Sequence, residues 1–225
     1  MDHLIPFFMR AVLISFMTNV KICGITNLKD ALMSVRFGAD ALGFNFFNQS
    51  SRYMTSRSAR NIIDMLPDGI ESVGVFVNEP IDSVVKTAKE ARLSTLQLHG
   101  EETPDYAAQL NKMTGLPIIK AFCISPDFHL ASVSQYQVDA VLLDAYSPNQ
   151  RGGTGRTFDW QIAREVRDIF SKMYLAGGLS PGNVKSAVAS VFPFAVDACS
   201  SLESSPGNKQ PELLRLFISE AKSND

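Results

Sequence analysis

The sequence predicts a single (β/α)8 (TIM) barrel, an α/β fold in which helices surround a closed parallel sheet. Eight short apolar runs alternate with eight amphipathic runs, and the 225 residues suit one barrel. The apolar runs are nearly continuous, as expected for strands that are buried on both faces. The alternative is an open doubly wound sheet, which usually carries Gly-x-Gly-x-x-Gly after its first strand. This chain has Cys23-Gly24-Ile25-Thr26 at that point.

The predicted strands are rich in β-branched and other apolar residues, and most end at a polar residue or a glycine. No low-complexity linker separates them, so one domain is expected from about residue 17 onward. In chain order the strands are residues 20–22, 41–44, 72–77, 95–98, 117–121, 140–144, 173–176 and 195–197.

The predicted helices have their own start and stop signals. Asn27 and Asp30, three positions apart, form a capping pattern, and Gly38 ends that run. Proline lies near the start of three others, where its missing N–H costs least. After the first, which runs from Asn27 to Gly38, the helices are expected at residues 56–66, 80–91, 103–113, 127–133, 158–170, 182–191 and 210–221.

Residues 1–16 form an apolar N-terminal extension that the barrel pattern does not require. Pro6 and Arg10 interrupt its apolar run, which is shorter than the roughly 20 residues of a membrane-spanning helix. It also lacks the basic start and small-residue cleavage pattern of a signal peptide. We interpret it as an accessory segment or as sequence upstream of a start at Met17, with a targeting segment as the alternative. The catalytic barrel is therefore expected over residues 17–225.

Composition narrows the function classes. A formal net charge of −2 gives no electrostatic reason to expect a nucleic-acid or membrane partner. The three cysteines are far apart and lack Cys-x-x-Cys spacing, which favours free thiols in a reducing, cytoplasmic compartment. No His-x-x-x-His or similar spacing occurs, so we predict no metal site.

Polar residues and glycines follow several predicted strands at their carboxyl ends, which in a barrel open onto one face. This rim is therefore the expected active site. The candidates are Cys23, Arg52, Gln97, His99, Asp144, Gly177, Gly178, Asp197, Ser200 and Ser201.

Cys23 and Asp144 are the candidates for proton transfer. Asp144 ends the apolar run 141–143, and such surroundings favour a protonated carboxylic acid that can donate its proton. The alternative for Asp144 is a loop-capping aspartate. Taken alone, Cys23 is better interpreted as a small buried hydrophobe, as most free cysteines are.

Glycines and serines after the seventh and eighth strands predict a phosphate site. Gly177 and Gly178 expose backbone N–H groups, and Ser200 and Ser201 can add donors. Barrels often bind phosphate between these two loops, although tight turns without a ligand are the alternative. The glycine-rich loop 152–157 could likewise approach a ligand or close over one.

Arg52 has a forked guanidinium that suits a carboxylate or a phosphate. Its neighbour Arg57 could serve equally on composition. His99 is interpreted as an orienting or packing histidine rather than a base, because the sequence assigns it no acidic partner.

Eight blocks of sequence together have the character of a family signature. They are Val20-Lys21-Ile22-Cys23-Gly24-Ile25-Thr26, Ser51-Arg52-Tyr53, Val73-Gly74-Val75-Phe76-Val77-Asn78, Leu96-Gln97-Leu98-His99-Gly100-Glu101, Leu142-Leu143-Asp144, residues 152–160, Gly177-Gly178-Leu179 and Val196-Asp197.

In this order the blocks resemble the phosphoribosylanthranilate isomerases of tryptophan biosynthesis. The resemblance implies a cofactor-free Amadori rearrangement of N-(5′-phosphoribosyl)anthranilate to 1-(2-carboxyphenylamino)-1-deoxyribulose 5-phosphate. Asp144 would be the general acid that opens the furanose ring. Cys23 would be the general base that removes the C2′ proton. A lowered thiol pKa would help Cys23 to act as a base.

The same resemblance implies binding roles. Arg52 would hold the anthranilate carboxylate and Asp197 the ribose hydroxyls, with Gln97 and His99 also placed among the substrate-binding residues. The phosphate would be held by Gly177, Gly178, Ser200 and Ser201.

The chain departs from the family after the last strand. Cys199 stands where the family has serine, and Ser201 where it has glycine. If that glycine has a positive φ, Ser201 would be strained by about 1–2 kcal/mol.

Two other functions remain open at this point. The related isomerase of histidine biosynthesis would carry aspartate in place of Cys23, and a catalytically silent barrel could bind a phosphorylated metabolite. The protein is expected to act as a monomer or a homodimer on a small phosphorylated molecule.

Overall fold

The computed structural model describes residues 18–145 and 159–223. They form the predicted closed barrel of eight parallel strands, in which each strand pairs with its chain neighbour and β1 pairs with β8. The extension 1–16, the boundary at Met17 and the glycine-rich loop 152–157 lie outside the described residues. The strands are β1 (Asn19–Ile22), β2 (Ala41–Asn45), β3 (Glu71–Phe76), β4 (Thr95–Leu98), β5 (Ile118–Ile124), β6 (Ala140–Ala145), β7 (Met173–Leu175) and β8 (Ala195–Ala198).

Helices follow the strands and cover the outside of the barrel. Most match the predicted runs within a few residues, but the fifth is a single turn rather than the expected helix over 127–133. Within the two described ranges, no helix is long and apolar enough to cross a membrane. The helices are α1 (Leu28–Phe37), α2 (Ser56–Ile63), α3 (Ile81–Ala91), α4 (Pro104–Thr114), α5 (Leu130–Val133), α6 (Trp160–Ile169), α7 (Val184–Val191) and α8 (Pro211–Ala221).

The capping pattern predicted for α1 is confirmed. The Asn27 side chain accepts a hydrogen bond from the backbone N–H of Asp30 at 2.9 Å, and its amide donates to the Asp30 carboxylate at 2.9 Å. Gly38 ends the helix in the left-handed region, with φ of 105°, which glycine adopts without steric cost. These contacts fix the direction in which the chain leaves the β1 loop.

The hydrophobic core has two parts. The larger lies between the strands and the helices. The smaller fills part of the barrel interior with compact side chains such as Ala41, Val73, Leu142 and Ala195. Since successive strand residues face opposite sides, β1 directs Lys21 and the following Cys23 into the interior.

A hairpin that the sequence reasoning did not predict follows β8. A short 3-10 helix (Ser200–Leu202) leads into β9 (Glu203–Ser205) and β10 (Asn208–Lys209), which pair antiparallel. The Gly207 carbonyl accepts a hydrogen bond from the Thr26 hydroxyl at 2.6 Å. The Lys209 N–H donates to the Asp30 carboxylate at 2.7 Å. The hairpin is thereby fastened to the β1 loop and to α1.

Candidate active site

A cavity of about 640 Å³ opens at the carboxyl end of the barrel. Seven of the eight strand ends or their following loops contribute to it. The structure brings every side chain and glycine that was predicted for the rim to this one cavity. These residues are Cys23, Arg52, Gln97, His99, Asp144, Gly177, Gly178, Asp197, Ser200 and Ser201.

Lys21 is a buried charged group directly below the cavity that the sequence reasoning did not single out. It pairs in register with Asp197 on β8, and its Nζ lies 2.9 Å from Asp197 Oδ1. Its side chain has no exposed surface. Burial tends to lower the pKa of Lys21, but the negative charges of Asp197 and Cys23 more than offset this and raise it. The signal in the sequence was a lysine inside an apolar strand.

Several neighbouring groups shift the pKa of Cys23. A hydrogen bond from the Cys199 thiol is the largest influence on Cys23, and it lowers the pKa of Cys23 well below its usual value. Burial opposes this shift, whereas the cations of Lys21 and Lys209 add to it. The pKa of Cys199 is raised because its proton is held in the same hydrogen bond. The two pKa values are shifted in opposite directions, so Cys23 is the more acidic thiol of the pair.

Asp197 is less acidic than an exposed aspartate. Burial raises its pKa to about 6, and the nearby negative charge of Cys23 adds to this, while Lys21 opposes it. Asp197 sits at the end of β8 with one face toward Lys21 and lines the cavity.

Asp144 ends β6 and is 6% exposed. Its Oδ2 lies 3.4 Å from His99 Nε2, which is long for a hydrogen bond and is best described as an electrostatic contact. His99 Nδ1 lies 2.9 Å from Gln97 Nε2. Gln97, His99 and Asp144 therefore form a chain of polar groups. This gives His99 the acidic partner that could not be assigned from sequence, since strands four and six meet only in the folded barrel.

Arg52 is held by a carboxylate of the protein itself. Its Nε donates to Glu203 at 2.9 and 3.0 Å and its Nη2 donates at 2.6 Å. Lys209 Nζ lies 2.9 Å from the same carboxylate. Glu203 and Lys209 were not predicted as site residues, and the only local signal for them was the Pro-Gly turn that returns Lys209 to Glu203. Arg57, the alternative to Arg52, is exposed on α2 and does not line the cavity.

The glycines after β7 provide a corner of exposed backbone. Gly177 and Gly178 have φ of 80° and 68°. A Cβ on Gly177 would lie 2.2 Å from the Ala145 nitrogen, so only glycine fits there without movement. The Ser201 hydroxyl donates to the Leu179 carbonyl, which joins the loops after β7 and β8.

The strain considered for Ser201 does not arise. The positive-φ residues other than glycine in residues 18–145 and 159–223 are Asn78, Arg92 and Phe192. Ser201 instead lies within the short 3-10 helix, where a serine is readily accommodated. Its presence in place of glycine therefore imposes no backbone cost.

The arrangement suits proton transfer on an anionic ligand. A thiol with a lowered pKa and a carboxyl group face one cavity, a guanidinium lies on one side, and a corner of backbone N–H groups lies on another. In the described part of the chain, no group of three or more His, Cys, Asp and Glu side chains is arranged to hold a metal ion.

Comparison with known proteins identifies the family of the chain. Residues 20–220 match the family model described as N-(5'phosphoribosyl)anthranilate (PRA) isomerase. The chain is 50% identical over 206 residues to N-(5'-phosphoribosyl)anthranilate isomerase of Citrifermentans bemidjiense, and the match covers 92% of this chain and 98% of that one.

Solved structures agree. The crystal structure of phosphoribosyl anthranilate isomerase from Thermotoga maritima matches with a TM-score of 0.83 and 40% identity, over 92% of this chain and 99% of that chain. A phosphoribosyl anthranilate isomerase in complex with reduced 1-(o-carboxyphenylamino)-1-deoxyribulose 5-phosphate matches with a TM-score of 0.79 and 39% identity, over 92% and 99%. The chain therefore belongs to the N-(5'-phosphoribosyl)anthranilate isomerase family.

Proposed function

We propose that Cys23 and Asp144 are the general base and general acid of the isomerisation for which the family is named. The chain is an isomerase of tryptophan biosynthesis that converts N-(5′-phosphoribosyl)anthranilate to 1-(2-carboxyphenylamino)-1-deoxyribulose 5-phosphate. The observation that carries the assignment of roles is that a low-pKa thiol and a buried carboxyl face the same cavity.

The reaction would proceed in two proton transfers. Asp144 gives its proton to the furanose ring oxygen, and the C1′–oxygen bond breaks to leave a protonated Schiff base. Cys23, as a thiolate, then takes the proton from C2′, and the electrons of that C–H bond neutralise the Schiff base to give an enolamine. Tautomerisation to the ketone completes the isomerisation. The mechanism uses Asp144 as the proton donor and Cys23 as the proton acceptor within one cavity.

Substrate binding would divide between two ends of the cavity. Arg52 is spanned by Glu203 through Nε and Nη2, so its Nη1 edge is the part that would meet the anthranilate carboxylate. Gly177, Gly178 and the Ser200–Ser201 segment would hold the phosphate at the other end. A relative binds a reduced compound with both a carboxyphenyl group and a phosphate, which supports this division.

The remaining polar residues would position these groups. Gln97 and His99 would orient Asp144, with which His99 is in contact at 3.4 Å. Asp197 would bind ribose hydroxyls through the oxygen that Lys21 leaves available. The cavity of about 640 Å³ is within the usual range for a small-molecule site.

We propose that the enzyme acts on a small phosphorylated substrate and that its catalytic domain spans residues 17–225. We further propose a reducing, cytoplasmic compartment that keeps Cys23 reduced. One similar structure is described as mutually generated monomers of a dimeric phosphoribosylanthranilate isomerase from Thermotoga maritima, so both monomer and homodimer are retained here.

The test is steady-state kinetics with freshly generated phosphoribosylanthranilate, followed by loss of substrate fluorescence. Cys23→Ala and Asp144→Asn are each expected to lower kcat by about 10²–10⁴-fold, the usual contribution of a positioned acid or base. Cys123→Ala is the matched control, because Cys123 is an exposed cysteine on β5 outside the cavity.

Native-like turnover by either site variant would remove its assigned role. A catalytically silent barrel would instead bind the reduced product analogue in calorimetry while the native chain shows no turnover. An isomerase of the histidine type would act on the corresponding histidine intermediate and leave phosphoribosylanthranilate unchanged.

A further inference from the structure

Cys23 and Cys199 are neighbours across the junction at which the barrel closes. Ile22 pairs in register with Ala198, and the ladder continues with a hydrogen bond of 2.9 Å from the Cys23 N–H to the Ala198 carbonyl. Adjacent strands lie about 5 Å apart. That spacing falls within the Cα separation of about 4.4–6.8 Å that a disulfide requires.

Glycines beside the two cysteines leave room for both sulfurs. Cys199 is the largest influence on the pKa of Cys23, and Cys23 is the largest influence on the pKa of Cys199, so the two thiol groups interact. A Cβ on Gly43 would lie 2.7 Å from Cys23 Sγ, and a Cβ on Gly24 would lie 2.7 Å from Cys199 Sγ. Glycine at these two positions therefore leaves the space that the two sulfurs occupy.

Both cysteines are also partly exposed and lie near cations. Each cysteine is partly exposed and lines the cavity. Lys209 Nζ lies 3.8 Å from Cys199 Sγ, and the positive charge of Lys21 lowers the pKa of Cys23. Positive charge next to a thiol favours the thiolate, which is the form that reacts with oxidants.

We propose that Cys23 and Cys199 form a site of reversible oxidation by hydroperoxides, in which Cys23 is the attacked sulfur and Cys199 resolves it into a disulfide. This goes beyond the isomerase reaction, which uses Cys23 only as a base. It depends on Cys199, one of the two residues after the last strand at which this chain departs from the family resemblance.

The chemistry balances with a hydroperoxide as the oxidant. The Cys23 thiolate attacks the outer peroxide oxygen, the O–O bond breaks, and the leaving hydroxide or alkoxide takes up a proton. This yields a sulfenic acid on Cys23. The Cys199 sulfur then attacks the Cys23 sulfur, the S–O bond breaks, and hydroxide leaves with the Cys199 proton as water. Two thiols are oxidised to one disulfide, and one peroxide is reduced.

The disulfide would remove the base from the isomerase and also protect it. A sulfenic acid without a nearby thiol is oxidised further to sulfinic acid, which thiol reductants do not reverse. With Cys199 in place the product is a disulfide that a thiol can reduce. Oxidation would therefore stop turnover without destroying the enzyme.

The experiment treats the native full-length chain with hydrogen peroxide, digests it with trypsin without reduction, and identifies the cross-linked peptides by mass. Cleavage after Lys21, Lys29, Lys185 and Lys209 places Cys23 in peptide 22–29 and Cys199 in peptide 186–209. The expected product is the covalent pair of these peptides, lighter by two hydrogen atoms than their sum. Dithiothreitol should separate the pair and restore the activity measured before oxidation.

Two variants make the result specific. Cys199→Ser should give sulfinic acid on Cys23 and a loss of activity that dithiothreitol does not reverse, each rate being compared with that of the same variant before oxidation. Cys123→Ser, which removes the exposed cysteine outside the cavity, should behave as the native chain does.

The proposal fails if peroxide oxidises Cys23 without producing the 22–29 and 186–209 pair. It also fails if Cys199→Ser recovers as fully as the native chain. Because the peptide mass is read without any turnover, the disulfide and the role of Cys23 as a base stand or fall separately. A Cys23→Ser variant that still isomerises substrate would end the proposed mechanism and leave the disulfide result unaffected.

Discussion

Replacement of Gly177 by alanine is expected to disturb both the backbone corner formed by Gly177 and Gly178, where we propose that phosphate binds, and the position of Asp144. Gly177 follows β7 with φ of 80°, and a Cβ there would lie 2.2 Å from the nitrogen and 2.7 Å from the Cβ of Ala145. Ala145 is the residue directly after Asp144 and is part of β6. The clash is with backbone, which cannot turn aside as a flexible side chain does.

The size of the effect follows from these distances. Ordinary contact begins at 3.4 Å, so the Ala145 nitrogen and the new methyl must separate by about 1.2 Å more than the native geometry allows. Alanine with positive φ costs about 1–2 kcal/mol, and an overpacked methyl typically costs about 1–3 kcal/mol. We expect the free energy of unfolding to fall by about 2–5 kcal/mol. A shift of about 1 Å at a reacting group costs about 100-fold in rate.

Two glycine variants separate the causes. Gly115→Ala places a Cβ in open space at φ of 66°, so it should show only the backbone cost of about 1–2 kcal/mol. In Gly182→Ala the new Cβ meets nothing closer than Ser180 Oγ at 3.8 Å. This variant should therefore change neither the free energy of unfolding nor kcat/KM.

The measurements are urea unfolding for stability and kcat/KM at a temperature where every variant is fully folded. The reasoning is refuted if Gly177→Ala is no less stable than Gly115→Ala and retains more than about a tenth of native kcat/KM.

Two further predictions concern buried lysines. Lys21→Met removes a cation that lowers the pKa of Cys23, so the acid limb of the kcat/KM profile should move to higher pH; a limb that stays in place would exclude this role for Lys21. Lys120→Met should lower the free energy of unfolding by about 3 kcal/mol, because Glu102 stays buried without the cation now 2.9 Å from it. Lys222→Met, which breaks a more exposed ion pair, should cost less than about 1 kcal/mol in the same urea titration.

The barrel could be predicted from the sequence because its signals are local. Continuous apolar runs identify buried parallel strands, and all eight were found within a few residues of their observed bounds. The helix expected over 127–133 is a single turn, since the amphipathic pattern there is too short to fix its length. The β9–β10 hairpin was missed because its strands have only three and two residues, although Pro206 and Gly207 marked its turn.

The sequence allowed us to predict which residues lie at the carboxyl ends of the strands, but not which of them contact one another. The rule that all carboxyl ends share one face gathered the candidates correctly. The pairing of Arg52 with Glu203, 151 residues later, could not be foreseen, because no local spacing records which loops meet. The pairing of His99 with Asp144 was missed for the same reason. Arg52 was predicted to bind a substrate carboxylate, and in the fold it already donates to the carboxylate of Glu203.

The contacts between β1 and β8 form only when the barrel has closed, so they mark the completion of folding. Lys21 and Asp197 are 176 positions apart, so their contact forms only when the two ends of the sheet have met. Closing so long a loop is among the slower events of folding, because the chain loses conformational entropy before the stabilising contact forms. Until then Asp197 and Cys199 are not next to Cys23, and Lys21 is not yet buried beside it. An unusually reactive thiol at Cys23 would therefore appear during refolding at the moment the ring closes.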